Sequence, residues 1–182
     1  MSAITTFSGE KFNPLNPDVE KIKIGDIAHA LSMLCRANGH FKSFYSVAQH
    51  SINCANEAKA RGYSLRVQLA CLLHDASEAY LSDITRPVKE KFTQYHEFEK
   101  KLQNVIMQKW FNIAVSEDEY AQVKLVDDAL LHDEFEKFMN EEIFSQEPYL
   151  KSQPQYDFED FLIVEKKFLE MFELLKAAVN NE

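Results

Sequence analysis

Apolar residues recur along most of this chain at intervals of three and four, the spacing that lines one face of a helix. Ile24, Ile27, Ala28, Leu31, Leu34 and Cys35 predict a helix from roughly Gly25 to Arg36, closed by Asn38-Gly39-His40. Ser46, with Gln49 three residues on, reads as a capping box; the helix it opens runs through Ile52, Cys54 and Ala58 to Gly62. Ser64 caps a third helix that continues to about Leu81. It stops in the segment Asp83 to Lys89, where Pro87 disfavours helix before it. A long helix is expected over 93–111, with Phe98, Leu102, Val105, Ile106 and Trp110 inward. A second capping box, Ser116 with Glu119, opens a helix to about Asn140 whose inner face reads Tyr120, Val123, Asp127, Leu130, Leu131 and Glu134. Residues 141–157, with Pro148 and Pro154, read as a polar loop. The last amphipathic helix covers about 157–179 through Phe161, Leu162, Phe168, Phe172 and Leu175.

Only the N-terminus departs from this period. Ile4, Phe7 and Phe12, the Asn13-to-Asp18 punctuation, then Val19, Ile22 and Ile24 predict two short strands around a Pro/Asn turn. The fold class is therefore all-α, a helical bundle with a small N-terminal β-hairpin. With 182 residues and only four Gly and five Pro, one domain over 1–182 with long helices and short connections is expected.

Charge and cysteine usage narrow the function. A net charge of −9 argues against binding long nucleic acid, which needs a basic surface to neutralise phosphates. A small phosphate compound remains possible through a few local cations. No apolar run approaches the roughly 20 residues that span a bilayer, and no secretory signal opens the chain, so no membrane association and a cytoplasmic location are expected. Cys35, Cys54 and Cys71 lie in apolar helical patterns without CxxC spacing and read as reduced core thiols.

The candidate chemistry centres on Cys71-Leu72-Leu73-His74-Asp75-Ala76-Ser77-Glu78. On a continuous helix Val67, Cys71, His74 and Glu78 share one face, and Asp75 lies about 100° around from His74. An imidazole and carboxylates inside a core call for a cation. His50, His74, Asp75 and Asp127, from three helices, make a plausible first shell for one divalent metal ion. Asp127 is preferred to Asp128 because it shares a stripe with Val123, Leu130 and Leu131, whereas Asp128 lies with Ala121, Lys124 and His132 on a more polar side. Cys71 reads as core rather than as a fifth ligand. His29, His40, His96 and His132 lack a carboxylate at ligand spacing in the sequence.

His50…His74-Asp75…Asp127 resembles the H…HD…D signature of the HD-domain phosphohydrolases. His74-Asp75-Ala76-Ser77-Glu78, then Asp83 and Pro87-Val88-Lys89, looks like the branch containing bacterial 5′-deoxyribonucleotidases. Thr6-Phe7-Ser8-Gly9, Ile24-Gly25-Asp26-Ile27-Ala28, Cys35-Arg36, Gly39-His40 and Phe44-Tyr45-Ser46-Val47-Ala48-Gln49-His50 resemble phage- and prophage-encoded members of that branch. The resemblance covers residues 4 to about 138. It implies an HD-domain helical bundle around one divalent metal (Mn, Co, Ni, Fe, Zn or Mg) and hydrolysis of a nucleoside 5′-monophosphate to nucleoside and phosphate. Glu78 is then the acid/base, Arg36 the phosphate-binding fork, and Asp83 the acceptor for ribose hydroxyls; Lys89 and Arg86 are further contacts for the substrate. A homodimer is expected from the family and the apolar last helix. Two departures bear on specificity. Ala37 stands where the deoxyribonucleotidases carry a bulky aromatic, which weakens an expectation of deoxyribose preference. Ala79 replaces the second acid of the HDxxED motif, arguing against guanosine-tetraphosphate hydrolysis. The alternatives are hydrolysis of a nucleoside triphosphate or cyclic nucleotide, or a non-catalytic nucleotide-binding module.

Overall fold

The computed structural model describes residues 3–89, 91–145 and 148–181, without the side chain of Arg86. It is all-α with one two-stranded hairpin. Strands β1 (Ile4–Thr5) and β2 (Lys11–Phe12) pair antiparallel, Ile4 opposite Phe12. Helices follow in the order α1 (Ile24–Met33), α2 (Val47–Ala60), α3 (Leu65–Leu73), α4 (Glu78–Leu81), α5 (Arg86–Lys89), α6 (Thr93–Trp110), α7 (Glu117–Met139) and α8 (Phe161–Val179).

The hairpin forms earlier than the Pro/Asn turn predicted. Its loop is residues 6–10, closed by Thr6 N–H donating to Glu10 O and by Gly9, whose φ of 85° a side chain would strain. The Asn13-to-Asp18 segment lies beyond it and leads into a single 3₁₀ turn, Val19–Lys21, with Asp18 as its cap.

The bundle is built on α3. Its residues 67–73 are all buried, as expected of a helix apolar around its circumference. α2, α7 and α8 pack against it, and α1 packs on α2, α4 and α8. The core joins Phe12 and Ile22 to Ile27, Leu31, Leu69, Leu72, Leu73, Leu102, Ile106, Leu130, Phe168 and Phe172. A smaller cluster, Phe41, Tyr45 and Phe138, closes the far side of α7. Both predicted capping boxes form, at Ser46/Gln49 and Ser116/Glu119. Asn140, left-handed at φ 54°, closes α7.

Four expectations about faces and ends are corrected. Phe98, Tyr120 and Leu162 are exposed rather than inward, because α6, α7 and α8 each bury a narrower stripe than their apolar residues suggest. α8 begins at Phe161, where Asp160 caps it, not at 157. α1 ends at Met33; Cys35 then bridges to Ser46, and Arg36–Gly39 forms a separate turn with Ala37 and Asn38 at φ 52°. Most consequential, the helix expected from Ser64 to Leu81 is broken after Leu73. Gln103 on α6 clamps the break: its amide donates to Leu73 O at 2.6 Å and its oxygen accepts from Ser77 N at 3.0 Å, satisfying backbone groups that a break frees.

Candidate active site

His74 caps the C-terminus of α3, so that helix end, not a mid-helix face, presents the His-Asp pair. Its Nδ1 donates to Cys71 O at 2.7 Å, leaving Nε2 to face inward. Asp75 follows in the turn, and Glu78 opens α4. The expected shared face of Val67, Cys71, His74 and Glu78 therefore does not exist as one helical stripe. The turn brings Asp75 and His74 to the same point instead: His74 Nε2 lies 3.2 Å from Asp75 Oδ2.

His50, in the first turn of α2, and Asp127, midway along α7, reach that point from two other elements. His50 Nε2 is 3.2 Å from His74 Nε2, 3.2 Å from Asp127 Oδ1 and 3.8 Å from Asp75 Oδ2. His74 Nε2 is 3.7 Å from Asp127 Oδ1. The four side chains singled out as a first shell thus converge. Asp128 is engaged elsewhere, accepting from Lys124 at 2.6 Å.

Arg36 sits among them. Its NH1 lies 3.2 Å from Asp75 Oδ2, and its NH2 lies 3.1 Å from His50 Nε2 and 3.6 Å from Asp127 Oδ1. The guanidinium is nearly buried, and it is presented by a turn with consecutive left-handed residues, a conformation that costs of order 1 kcal/mol per non-glycine residue. Asp83 braces that turn by accepting from Ala37 N–H at 3.1 Å, and Asp83 itself follows Ser82 at φ 73°. Lys89 Nζ lies 2.6 Å from Glu99 and 3.8 Å from Glu78 Oε1. Arg86 belongs to α5, but its side chain is outside the described residues.

Electrostatics follow from burying several carboxylates around one arginine. Burial opposes ionisation of Asp75, yet His74 and Arg36 hold its carboxyl well below the usual range. Asp127 is likewise held low, against burial, by His50 and His74. Burial disfavours the His74 imidazolium, but Asp75 and Asp127 outweigh it and raise its pKa. Glu78 moves the other way: burial first, then Asp75 and Asp83, push it well above the carboxylate range. Its Oε2 has no hydrogen-bond partner among the described residues.

Two residues that sequence reasoning left in the core belong to this site. His50, Cys54 and His74 form a buried group, donor atoms within 4.8 Å of one another, that could hold a metal ion. The Cys54 sulfur is 3.5 Å from His50 Nε2 and 4.0 Å from Nδ1, so it lies over the side of the imidazole rather than ahead of Nε2. Burial and nearby Asp127 keep it a neutral thiol. Asp127 Oδ1 and Asp75 Oδ2 lie closer to the imidazole nitrogens, each 3.2 Å from one of them. Glu134, two turns after Asp127 on α7, is completely buried and contacts both His50 and Arg36. A glutamate on the apolar stripe of α7 was the available signal. His29 also gains a partner invisible in local spacing, Glu165 of α8 at 2.9 Å.

The helical bundle thus encloses two imidazoles, several carboxylates and an arginine at one point, a group that could hold a metal ion. No protein-family model matches the chain. Over 110 residues it is 40% identical to the uncharacterized protein YfdR of Escherichia coli (strain K12), an alignment covering 60% of this chain and 59% of that one. Over 87 residues it is 44% identical to an uncharacterized protein of Rhodobacter capsulatus, covering 45% and 44% of the two chains. The chain thus matches less than two thirds of the length of either relative. Among the described residues no helix is long and apolar enough to cross a membrane.

Proposed function

We propose that this chain is an HD-domain, metal-dependent phosphohydrolase that converts nucleoside 5′-monophosphates to nucleoside and phosphate. The observation that carries this reading is the convergence of His50 Nε2, His74 Nε2, Asp75 Oδ2 and Asp127 Oδ1, at separations of 3.2 to 3.8 Å, beside the Arg36 guanidinium. Ligands about 2.1 Å from a common ion stand roughly 3.0–3.5 Å apart, so this donor set holds one after a small contraction and once Arg36 gives up its contacts with His50 Nε2 and Asp75 Oδ2. Its chemistry, two imidazoles with two carboxylates, suits a divalent ion of intermediate softness such as Mn, Fe, Co, Ni or Zn. The buried negative charge supports the same fit: with no ion between them, Asp75 and Asp127 raise the pKa of His74 against its burial.

His50, His74, Asp75 and Asp127 would hold the ion, which supplies Lewis-acid polarisation of a phosphoryl oxygen when bound. Arg36 aims two N–H groups at the same space and pairs with the remaining phosphate oxygens. Glu78, with Oε2 uncommitted, holds the attacking water and takes its proton as the new P–O bond forms. The bond from phosphorus to O5′ breaks, and that carboxyl returns the proton to the leaving oxygen. Asp83 has one oxygen fixed by Ala37 N–H, and its other oxygen accepts from a ribose hydroxyl. Lys89, close to Glu78, adds positive charge at the rim.

The test is phosphate release from ribo- and deoxyribonucleoside monophosphates, triphosphates and cyclic nucleotides. Chelator-treated protein is used, with Mn, Co, Ni, Zn and Mg returned singly. Metal-dependent release from monophosphates, abolished in Asp75→Ala, is expected. Release from triphosphates or cyclic nucleotides alone, or from nothing with any metal, overturns the reading.

A further inference from the structure

We infer that Glu134 is a positioning residue that sets the metal-facing nitrogen of His50 and the phosphate-facing edge of Arg36 together, and that the segment 151–157 anchors it from outside. The inference rests on the metal reading above but concerns a residue outside the proposed first shell. Glu134 is fully buried, and its two oxygens are divided between two jobs. Oε1 accepts from His50 Nδ1 at 2.5 Å and from the Tyr45 hydroxyl at 3.0 Å. Oε2 accepts from Arg36 Nε at 3.3 Å.

Each contact has a geometric consequence. With its Nδ1 proton committed to Glu134, the His50 ring carries its lone pair on Nε2, the atom that points at His74, Asp75 and Asp127. Arg36 NH2, 3.1 Å from that Nε2, requires the same assignment, because a guanidinium can only donate. Holding Arg36 at Nε fixes the guanidinium plane and leaves NH1 and NH2 directed inward. One carboxylate thus orients the groups proposed to bind the ion and the phosphate.

The outer support runs through α2 and the C-terminal segment. Asn53 Nδ2 donates to the Tyr45 hydroxyl at 2.9 Å and to Gln155 O at 3.1 Å, while Gln155 N–H donates to Asn53 Oδ1 at 3.1 Å. Tyr156 packs edge-on against Tyr45 and Phe138 and donates to Asp133. An unbroken chain of hydrogen bonds therefore links the backbone at Gln155 to Nδ1 of His50. This gives residues after 138 a part in the site, although they lie outside the stretch that carries the sequence motifs.

The test measures Co(II) or Mn(II) affinity by calorimetry for wild type, Glu134→Ala, Glu134→Gln and Tyr45→Phe, each checked for folding by circular dichroism and thermal melting. Loss of an outer-shell partner of a ligating histidine typically costs 10–100-fold in metal affinity. Glu134→Ala is expected to fall in that range, and Glu134→Gln, which retains an acceptor, to recover part of the loss. Tyr45→Phe keeps the ring and should weaken binding only a few-fold. The ¹⁵N shifts of His50, recorded above the pH at which the ring loses its second proton, should report an Nδ1–H, Nε2-lone-pair ring in metal-free wild type and lose that signature in Glu134→Ala. A folded Glu134→Ala that binds metal like wild type, or wild-type His50 protonated at Nε2 only, overturns the inference while leaving the metal reading standing. Absence of any metal binding by wild type, with His50 in the expected tautomer, overturns the metal reading and leaves Glu134's orienting role to the ¹⁵N result.

Discussion

The unpartnered oxygen of Glu78 is itself buried, and this separates it, among the described residues, from every other carboxylate at the site. Asp75, Asp127 and Glu134 are held by histidine or arginine, and Asp83 by a backbone N–H, whereas Glu78 Oε2 meets no partner among the described residues. Glu78→Gln keeps the shape and removes the proton-transfer group. Turnover of a monophosphate should fall by about 10²–10⁴-fold with metal affinity unchanged, read from steady-state rates beside calorimetry. Unchanged turnover would remove Glu78 from the chemistry. At this scale much of the proposed site was legible in the sequence. The choice of Asp127 over Asp128 rested on an apolar stripe, and in the structure Asp127 faces the histidines while Asp128 pairs with Lys124. Glu134 lay on the same stripe, which marks it for burial, but nothing local says which groups it meets there.

Among elements, the break between α3 and α4 decides how the His-Asp pair is presented. Ala76 N–H donates to Leu73 O and Glu78 N–H to Asp75 O, contacts one residue shorter than in an α-helix, which swing Asp75 beside His74. The Gln103 clamp supports that turn from α6, next to Leu102 and Ile106, which that helix buries in the core. Gln103→Ala removes both hydrogen bonds and leaves backbone groups of the buried residues Leu73 and Ser77 without them. It should cost about 1–3 kcal/mol in stability by denaturant titration and lower kcat/KM in the same assay. An unchanged midpoint would show that water replaces the side chain. The sequence offered no sign of this break. Cys71 to Leu81 contains neither Gly nor Pro, and the clamp comes from a residue 26 to 30 positions away.

Over the whole molecule, the chain from 148 to 157 is bound along α2 as an extended strap. Gln49, Asn53 and Glu57, spaced four residues apart on one face, hold its backbone. Glu57 is buried and accepts from the N–H groups of Lys151 and Ser152 and from Arg61. Burial works to raise its pKa, but these hydrogen bonds from Ser152, Arg61 and Lys151 prevail and lower it. A carboxyl lowered on folding stabilises above its unfolded pKa, about 4.3 for glutamate, and that stabilisation fades as pH falls through the folded value. Urea midpoints should therefore drop on acidification below about pH 4.3, and less steeply in Glu57→Gln, which carries no charge to lose. Parallel slopes for the two proteins would show that the strap does not depend on this ionisation.

The sequence by itself determined the elements and the groups available to them. Helix positions, both capping boxes and the buried stripes around Leu102, Leu130 and Phe168 follow from spacings of three and four residues, while the set His50, His74, Asp75 and Asp127 was singled out by its resemblance to the H…HD…D signature. Those spacings are local, and helix formation reads them locally. Only the tertiary structure decided what meets at one point and what stays exposed. The break at His74, the hairpin at Gly9, the outward turns of Phe98, Tyr120 and Leu162, and the placement of Arg36 and Glu134 beside His50 depend on partners tens of residues away. The energy of burying a charge or freeing a backbone group is settled by those partners, and periodicity carries no record of them.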